Sequence, residues 1–473
     1  MPPHASAARG VPVPGPDPGR HRRPGAGRGG PVPAGGGPLG RRVNPSSPPR
    51  VATTPGSRAG DRDWLTSPVE SGPAAGFGVY LHVPFCHHRC GYCDFAVAAV
   101  GGLDPARRDD LEGRYVAAIR ADLARQVAAG RRAHAPSDAE HLDDRWPTVT
   151  SVFVGGGTPT LLSPERLASV VASVAEELDL AADVEVTVEA NPETASPELF
   201  EALVAVGVTR VSIGAQSFAP HVLETLEREH TPAGPLRAAA MAREAGIAEL
   251  SLDLIYGTPG ETADDWDDTL ARVLTADVDH VSAYALTIHD GTPFGRRVAR
   301  GLLPDVDEDV QAQRFAALQQ LLGAGGFEHY EVSNLARGSR SRSRHNLLYW
   351  RHGDYLGVGA GAHGHLAGRR WWSTRSAPRY IHAVTSAGGR AWGEGDTPLA
   401  GSEVLDDAQR AAERLFLGLR VREGLHPGDL PPIQPLALED ALAAGLVETA
   451  CGRLRCTAAG WFLLDDAVDR LTA

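Results

Sequence analysis

From Gly78 to about residue 285 the chain alternates short β-branched runs with Ala- and Leu-rich amphipathic stretches. A strand of four to eight residues followed by a helix of ten or more, repeated, is the pattern of βα units around a parallel sheet. The runs at 79–83, 149–154, 184–188, 210–213, 249–253 and 280–284 predict strands. Helices are predicted near 106–129, 163–178, 196–206, 233–245 and 262–275. Six such units predict an α/β fold, a partial (β/α)6 barrel of TIM type over 76–300, with chemistry gathered at the C-terminal ends of the strands. Beyond residue 300 the alternation stops. A helix near 307–323 and a strand about 329–332 precede a Gly-, His- and Trp-rich stretch at 344–400, and 301–400 is read as an extension of the barrel. Residues 401–473 offer helices at 404–419 and 435–443, a hairpin at Cys451 and Gly452, and a final helix from 457. That order predicts a small α+β domain of winged-helix type.

Composition changes this picture mainly at the N-terminus. Residues 1–75 are rich in Pro, Gly, Arg and Ser and show no apolar period, so they predict a disordered arm that cannot bury enough surface to offset the entropy of ordering. The arm holds ten arginines and four acids, which leaves the rest of the chain at a formal charge of −19 against −13 overall. A nucleic-acid partner for that acidic body is disfavoured. Lysine is absent throughout. Five cysteines, three of them within eight positions, do not resemble the paired cysteines of a secreted scaffold. No run approaches the ~18 apolar residues of a membrane span, and the N-terminus lacks the apolar core of a secretory signal. A soluble cytoplasmic protein without a membrane span is expected.

The three clustered cysteines carry the sharpest chemical signal. The first strand runs directly into Cys86-His87-His88-Arg89-Cys90-Gly91-Tyr92-Cys93, a CxxxCxxC loop. Thiolates at this spacing can hold one corner of a [4Fe-4S] cubane and leave the fourth iron without a protein ligand. S-adenosylmethionine can chelate such an iron through its amino and carboxylate groups, which places its sulfonium beside a one-electron donor; reductive cleavage then gives a 5′-deoxyadenosyl radical. A zinc site and three structural thiols are the competing readings. A closed zinc site wants four ligands, and His87 and His88 lie inside the loop with poor geometry for it. Cys451 and Cys456, in the predicted hairpin, are read as structural.

The second strand ends in Gly155-Gly156-Gly157-Thr158-Pro159, where consecutive glycines let a ligand approach the backbone. With the cysteine loop, this segment resembles radical S-adenosylmethionine proteins of the HemN and HemW class, and the likeness runs from Tyr80 to about Gly291 without a large gap. In that class the glycine loop contacts the methionine part of the cofactor. The resemblance implies a cofactor cup that also includes Tyr80, Gly156, Gly157 and Thr158, then Glu189 after strand three, Gln216 after strand four and Arg228 as a counter-charge. Asp253 at the end of strand five and Ala285 just past strand six complete it. Singly, each is more often a strand-end cap or a surface charge; their order along successive strand ends is what favours a cup.

Within the class, the oxidase branch carries a fourth cysteine two residues beyond the triad, where this chain has Asp94-Phe95. The CxxxCxxCxF form is similar to the HemW branch. A second mark is His345-Asn346-Leu347-Leu348-Tyr349, the HNxxY pattern associated in that branch with heme. His345 offers an imidazole suited to axial ligation, and Tyr349 and Trp350 could face a macrocycle. The plainer reading is a strand-to-loop segment with a packed tyrosine and a hydrogen-bonded histidine. His363 and His365 are set aside, because their Gly-rich setting reads as a close turn. The tail around 413–420 also resembles the shared HemN and HemW C-terminus, which would cover the barrel mouth.

The resemblance therefore implies a heme-handling protein that carries a [4Fe-4S] cluster, S-adenosylmethionine and heme. Its partners would be an electron donor and heme-accepting apo-proteins, respiratory ones among them, with membrane contact only through such a partner. The rival is an oxygen-independent coproporphyrinogen III oxidase. A third reading is a degenerate scaffold that binds no S-adenosylmethionine. No catalytic residue is assigned.

Overall fold

The computed structural model describes residues 76–133, 146–387 and 398–472; the arm expected over 1–75 lies outside the described residues. The barrel strands are β1 (Phe77–Val83), β2 (Val149–Gly156), β3 (Leu180–Ala190), β4 (Arg210–Gln216), β5 (Glu249–Tyr256) and β6 (His280–Ala285). Each pairs in parallel with the next, as the βα pattern requires. Between them run α1 (Pro105–Ala133), α2 (Pro164–Glu177), α3 (Pro197–Ala205), α4 (Gly234–Glu244) and α5 (Ala263–Thr275). Their starts are encoded locally: Ser163 and Ser196 cap α2 and α3, and Thr262 with Asp265 forms a capping box on α5.

Residues 301–400 add strands to both flanks of this same sheet. After α6 (Glu308–Ala324), the strands β7 (Glu328–Glu331) and β8 (Asn334–Ala336) extend it antiparallel beyond β6. The short helix α7 (Arg344–Trp350) leads to β9 (Asp354–Val358), which lies parallel to β1 and makes a seventh parallel strand beyond the six expected. Strands β10 (His363–Leu366), β11 (Arg369–Ser373) and β12 (Leu399–Val404) continue antiparallel outward, with α8 (Ala377–Ser386) between the last two. The chain ends in α9 (Asp407–Gly418), α10 (Pro435–Ala443), the hairpin β13 (Val447–Ala450) and β14 (Arg453–Cys456), α11 (Ala458–Phe462) and α12 (Leu464–Thr472).

Side chains alternate across the sheet with the period of two that strands impose. Val79, Leu81 and Val83, Val186 and Val188, Val211 and Ile213, and Leu250 and Leu252 enter the apolar core shared with the helices. The opposite face carries Tyr80 and His82, Thr187 and Glu189, Ser212 and Gln216, Ser251 and Asp253, and His280 and Ser282, all in buried or half-buried positions. Barrel interiors are usually filled by branched apolar residues. This lumen is polar.

Candidate functional site

The three cysteine thiols lie at the C-terminal end of β1, where the sequence places them. The loop is shaped by its own backbone. Cys93 N–H donates to Cys90 O (3.1 Å), and the Arg89 guanidinium donates to Cys93 O (3.2 and 2.9 Å). Gly91 is obligatory because a Cβ there would lie 2.2 Å from the Phe294 ring. All three are free thiols. Burial pushes Cys86 up to about 12 and Cys93 to about 11, so in the metal-free protein both stay protonated, and iron would have to displace those protons.

The glycine loop lies against this segment. Gly157 N–H donates to Val83 O (2.8 Å) and Thr158 N–H to Phe85 O (2.7 Å). Gly156 has φ of +118°, and a Cβ on it would meet the buried His82 ring at 2.5 Å; one on Gly155 would meet the Glu189 carboxylate at 2.7 Å. The Gly156 N–H donates to Glu189 Oε2 (3.0 Å). Burial, reinforced by neighbouring Asp253, raises the Glu189 carboxyl to about 8. Burial also raises Asp253, although Ser212 Oγ donates to it (2.7 Å).

Gln216 ends β4 with a φ of +57°, a strained value for a side-chain-bearing residue, and its Oε1 is buried without a hydrogen-bond partner. The Arg228 guanidinium reaches Cys90 Sγ (3.8 Å) and donates to Asn191 Oδ1, with its Nε buried and unpartnered. Asn191 in turn donates to Thr158 Oγ1 (3.2 Å), which lies 3.8 Å from Cys86 Sγ. Arg228 thus faces the cysteine loop, where sequence reading made it a carboxylate counter-charge. Tyr80 is buried, with its hydroxyl 2.9 Å from His82 Nδ1, and Ala285 is half-buried at the end of β6. Three converging thiols and orphaned polar atoms on Gln216 and Arg228 fit an iron-sulfur cluster with a polar organic ligand beside it.

His345, Asn346 and Tyr349 lie elsewhere. They sit on α7, a helix where sequence reading allowed a strand-to-loop segment, started by Ser343 as its N-cap. The Arg344 and His345 N–H groups donate to the Glu185 carboxylate (2.8 and 3.0 Å), which lies on β3 level with Ser151 near the start of β2. The helix therefore closes the N-terminal end of the barrel, opposite the cysteines. His345 has no exposed surface: Nδ1 is 2.9 Å from Ser151 Oγ, Nε2 is 2.8 Å from the Tyr349 hydroxyl, and the ring stacks on Phe153 at 5.3 Å. Burial lowers its pKa to about 3, so the ring is neutral. As packed, neither nitrogen is open to a ligand, and Tyr349 and Trp350 are buried, with no free aromatic face.

Two other expectations are corrected. α9 packs on α7, with Val421, Leu347 and Trp350 in one apolar cluster, so the tail closes the end opposite the expected mouth. His363 and His365 are on a strand, and Gly364 between them is needed because Trp371 lies 2.2 Å from where its Cβ would be; the turn comes earlier, at Gly359 and Gly361. Of the hairpin cysteines, Cys456 is buried and Cys451 exposed. Sequence reading missed His82, Asn191 and Glu185. For His82 and Glu185 the signal was polarity at every second position of otherwise apolar strands; Asn191 lies one residue past β3.

Residues 80–273 match the Radical SAM superfamily. The chain is 44% identical over 405 residues to the heme chaperone HemW of Mycobacterium tuberculosis, which covers 84% of this chain and 95% of that protein. It is 32% identical over 346 residues to the heme chaperone HemW of Lactococcus lactis, at 73% and 82% coverage. Among solved structures, coproporphyrinogen III oxidase (HemN) from Escherichia coli, a radical SAM enzyme, superposes with a TM-score of 0.67 over 85% of this chain and 91% of that one. At 20% identity, that likeness establishes the fold alone. Among the described residues no helix is long and apolar enough to cross a membrane.

Proposed function

The chain belongs to the HemW family of radical SAM proteins, and from that premise we propose that it binds heme and passes it to an acceptor apo-protein. The observation that carries this reading is the 44% identity to a heme chaperone along 95% of that relative's length. Support comes from the second residue after the triad: Phe95 stands where the oxidase branch, by the resemblance, has its fourth cysteine.

Cys86, Cys90 and Cys93 are the ligands we assign to the [4Fe-4S] cluster, with the glycine loop, Glu189, Gln216, Arg228 and Asp253 around S-adenosylmethionine. The bound cluster supplies one-electron chemistry at an iron open to the cofactor. Arg228 compensates the negative charge of the thiolates, and its bond to Asn191 fixes it there. Glu189, once ionised, offers a carboxylate oxygen to a cationic amine, while the Gly156 N–H orients its other oxygen contact. Heme ligation by His345 requires α7 to loosen, because Ser151 and Tyr349 hold both ring nitrogens.

The test is turnover. Anaerobically reconstituted protein given S-adenosylmethionine, a strong reductant and coproporphyrinogen III should leave the propionates intact. Stoichiometric decarboxylation would make it an oxidase despite Phe95.

A further inference from the structure

One group of side chains able to ligate metal, two of them inside the cysteine loop, has no part in the assignments above. His87 Nδ1 is 3.4 Å from Glu229 Oε2, and His88 Nδ1 is 3.2 Å from Glu229 Oε1. The three residues can bring one donor atom each within 4.8 Å of the others. The second nitrogen of His88 decides its chemistry. His88 Nε2 is 2.7 Å from the Glu227 carbonyl oxygen, which can only accept, so that nitrogen carries a proton; it also lies 3.8 Å from Cys90 Sγ. His88 Nδ1 is then the nitrogen that faces the Glu229 carboxylate. The two ring centroids are 6.5 Å apart, with the one carboxylate between the rings. A cation between the three donors engages both Nδ1 atoms and the carboxylate together.

We propose that His87, His88 and Glu229 bind a divalent late first-row transition-metal ion, zinc foremost. Two imidazole nitrogens and one carboxylate oxygen are the donor set of an open zinc site, with the remaining position left to water. The bond from His88 to the Glu227 carbonyl is the outer contact that ligating histidines make through their other nitrogen, and it sets both tautomer and ring angle. All three residues are partly exposed, so an ion from solution can reach them. The placement gives the ion a structural consequence. His87 and His88 stand between Cys86 and Cys90, and Glu229 follows Arg228, whose guanidinium touches Cys90 Sγ. Metal there ties the cysteine loop to the segment that supplies Arg228.

The experiment counts metals. Protein reconstituted with iron and sulfide is equilibrated with zinc, dialysed, and analysed for both elements, alongside Glu229→Ala and the His87→Ala/His88→Ala double variant. The expected result is about one zinc per chain on top of the full iron complement. Both variants should lose the zinc and keep the iron. No zinc after dialysis, zinc retained in both variants, or zinc gained only as iron is lost would each overturn the site. The iron count is read separately, so failure of the cysteine assignment is distinguishable from failure of this one.

Discussion

Glu189→Gln should make the metal-free protein more stable in mild alkali while removing its affinity for S-adenosylmethionine. Burial, then Asp253, lifts the Glu189 carboxyl from its ordinary 4.5 to about 8. Below pH 4.5 both folded and unfolded chains hold the proton, and the group leaves stability unchanged. Between 4.5 and 8 the unfolded chain releases a proton that the folded chain keeps, so stability falls as pH rises; above 8 the loss is complete. At about 1.4 kcal/mol per pH unit the full shift corresponds to about 5 kcal/mol, and relaxation with water entry reduces the realised effect to about 1–3 kcal/mol. Glutamine keeps a carbonyl oxygen for the Gly156 N–H and removes the charge. The assay is urea unfolding of cluster-free wild type and variant at intervals from pH 5 to 9. The two should agree at pH 5 and diverge in the variant's favour by pH 9. Parallel curves across that range would refute the buried-carboxylate reasoning.

Cys90→Ser should abolish the visible iron-sulfur absorption of reconstituted protein and leave the far-UV spectrum unchanged, whereas a retained cluster would refute the ligand assignment. Gly156→Ala, which forces a Cβ to within 2.5 Å of the His82 ring at a φ of +118°, should cost about 2–4 kcal/mol in thermal or urea unfolding and lower cofactor affinity. His345→Ala should weaken heme binding, read from the Soret band, with iron content unaltered; unchanged affinity and spectrum would place heme elsewhere. Tyr349→Phe frees one nitrogen of His345 and should speed heme uptake if α7 is the barrier, provided that Tyr349 itself adds little binding.

The six barrel strands were legible because their β-branched runs are bounded by turn residues and separated by helices, of which α2, α3 and α5 carry side-chain caps. Strand β9 was not: its five residues include Gly357, and its partner β1 lies far away in sequence. Helix α7 was obscured by two aromatic and two leucine residues in a row of seven, although Ser343 before it is an N-cap signal, realised in its 3.2 Å bond from Asn346 N–H. Cup residues such as Glu189 and Asp253 stood out because each falls at the end of a strand expected from sequence, although β5 runs on to Tyr256 and leaves Asp253 inside it. His82 and Glu185 did not, since a polar residue at alternate strand positions ordinarily faces solvent. Only the curvature of the sheet turns that face into a polar lumen, and curvature is a tertiary property. The same holds for His345: its motif was visible, but its burial behind Ser151 and Tyr349 depends on β2 lying beneath α7.

The most direct test of the central claim is a heme titration of the cluster-loaded protein under anaerobic conditions, followed by optical spectroscopy and iron-sulfur analysis. Saturable binding of one heme per chain, with the cluster intact, is the expected result. Binding that never saturates, or heme uptake only as the cluster is lost, would contradict a heme chaperone built on this barrel.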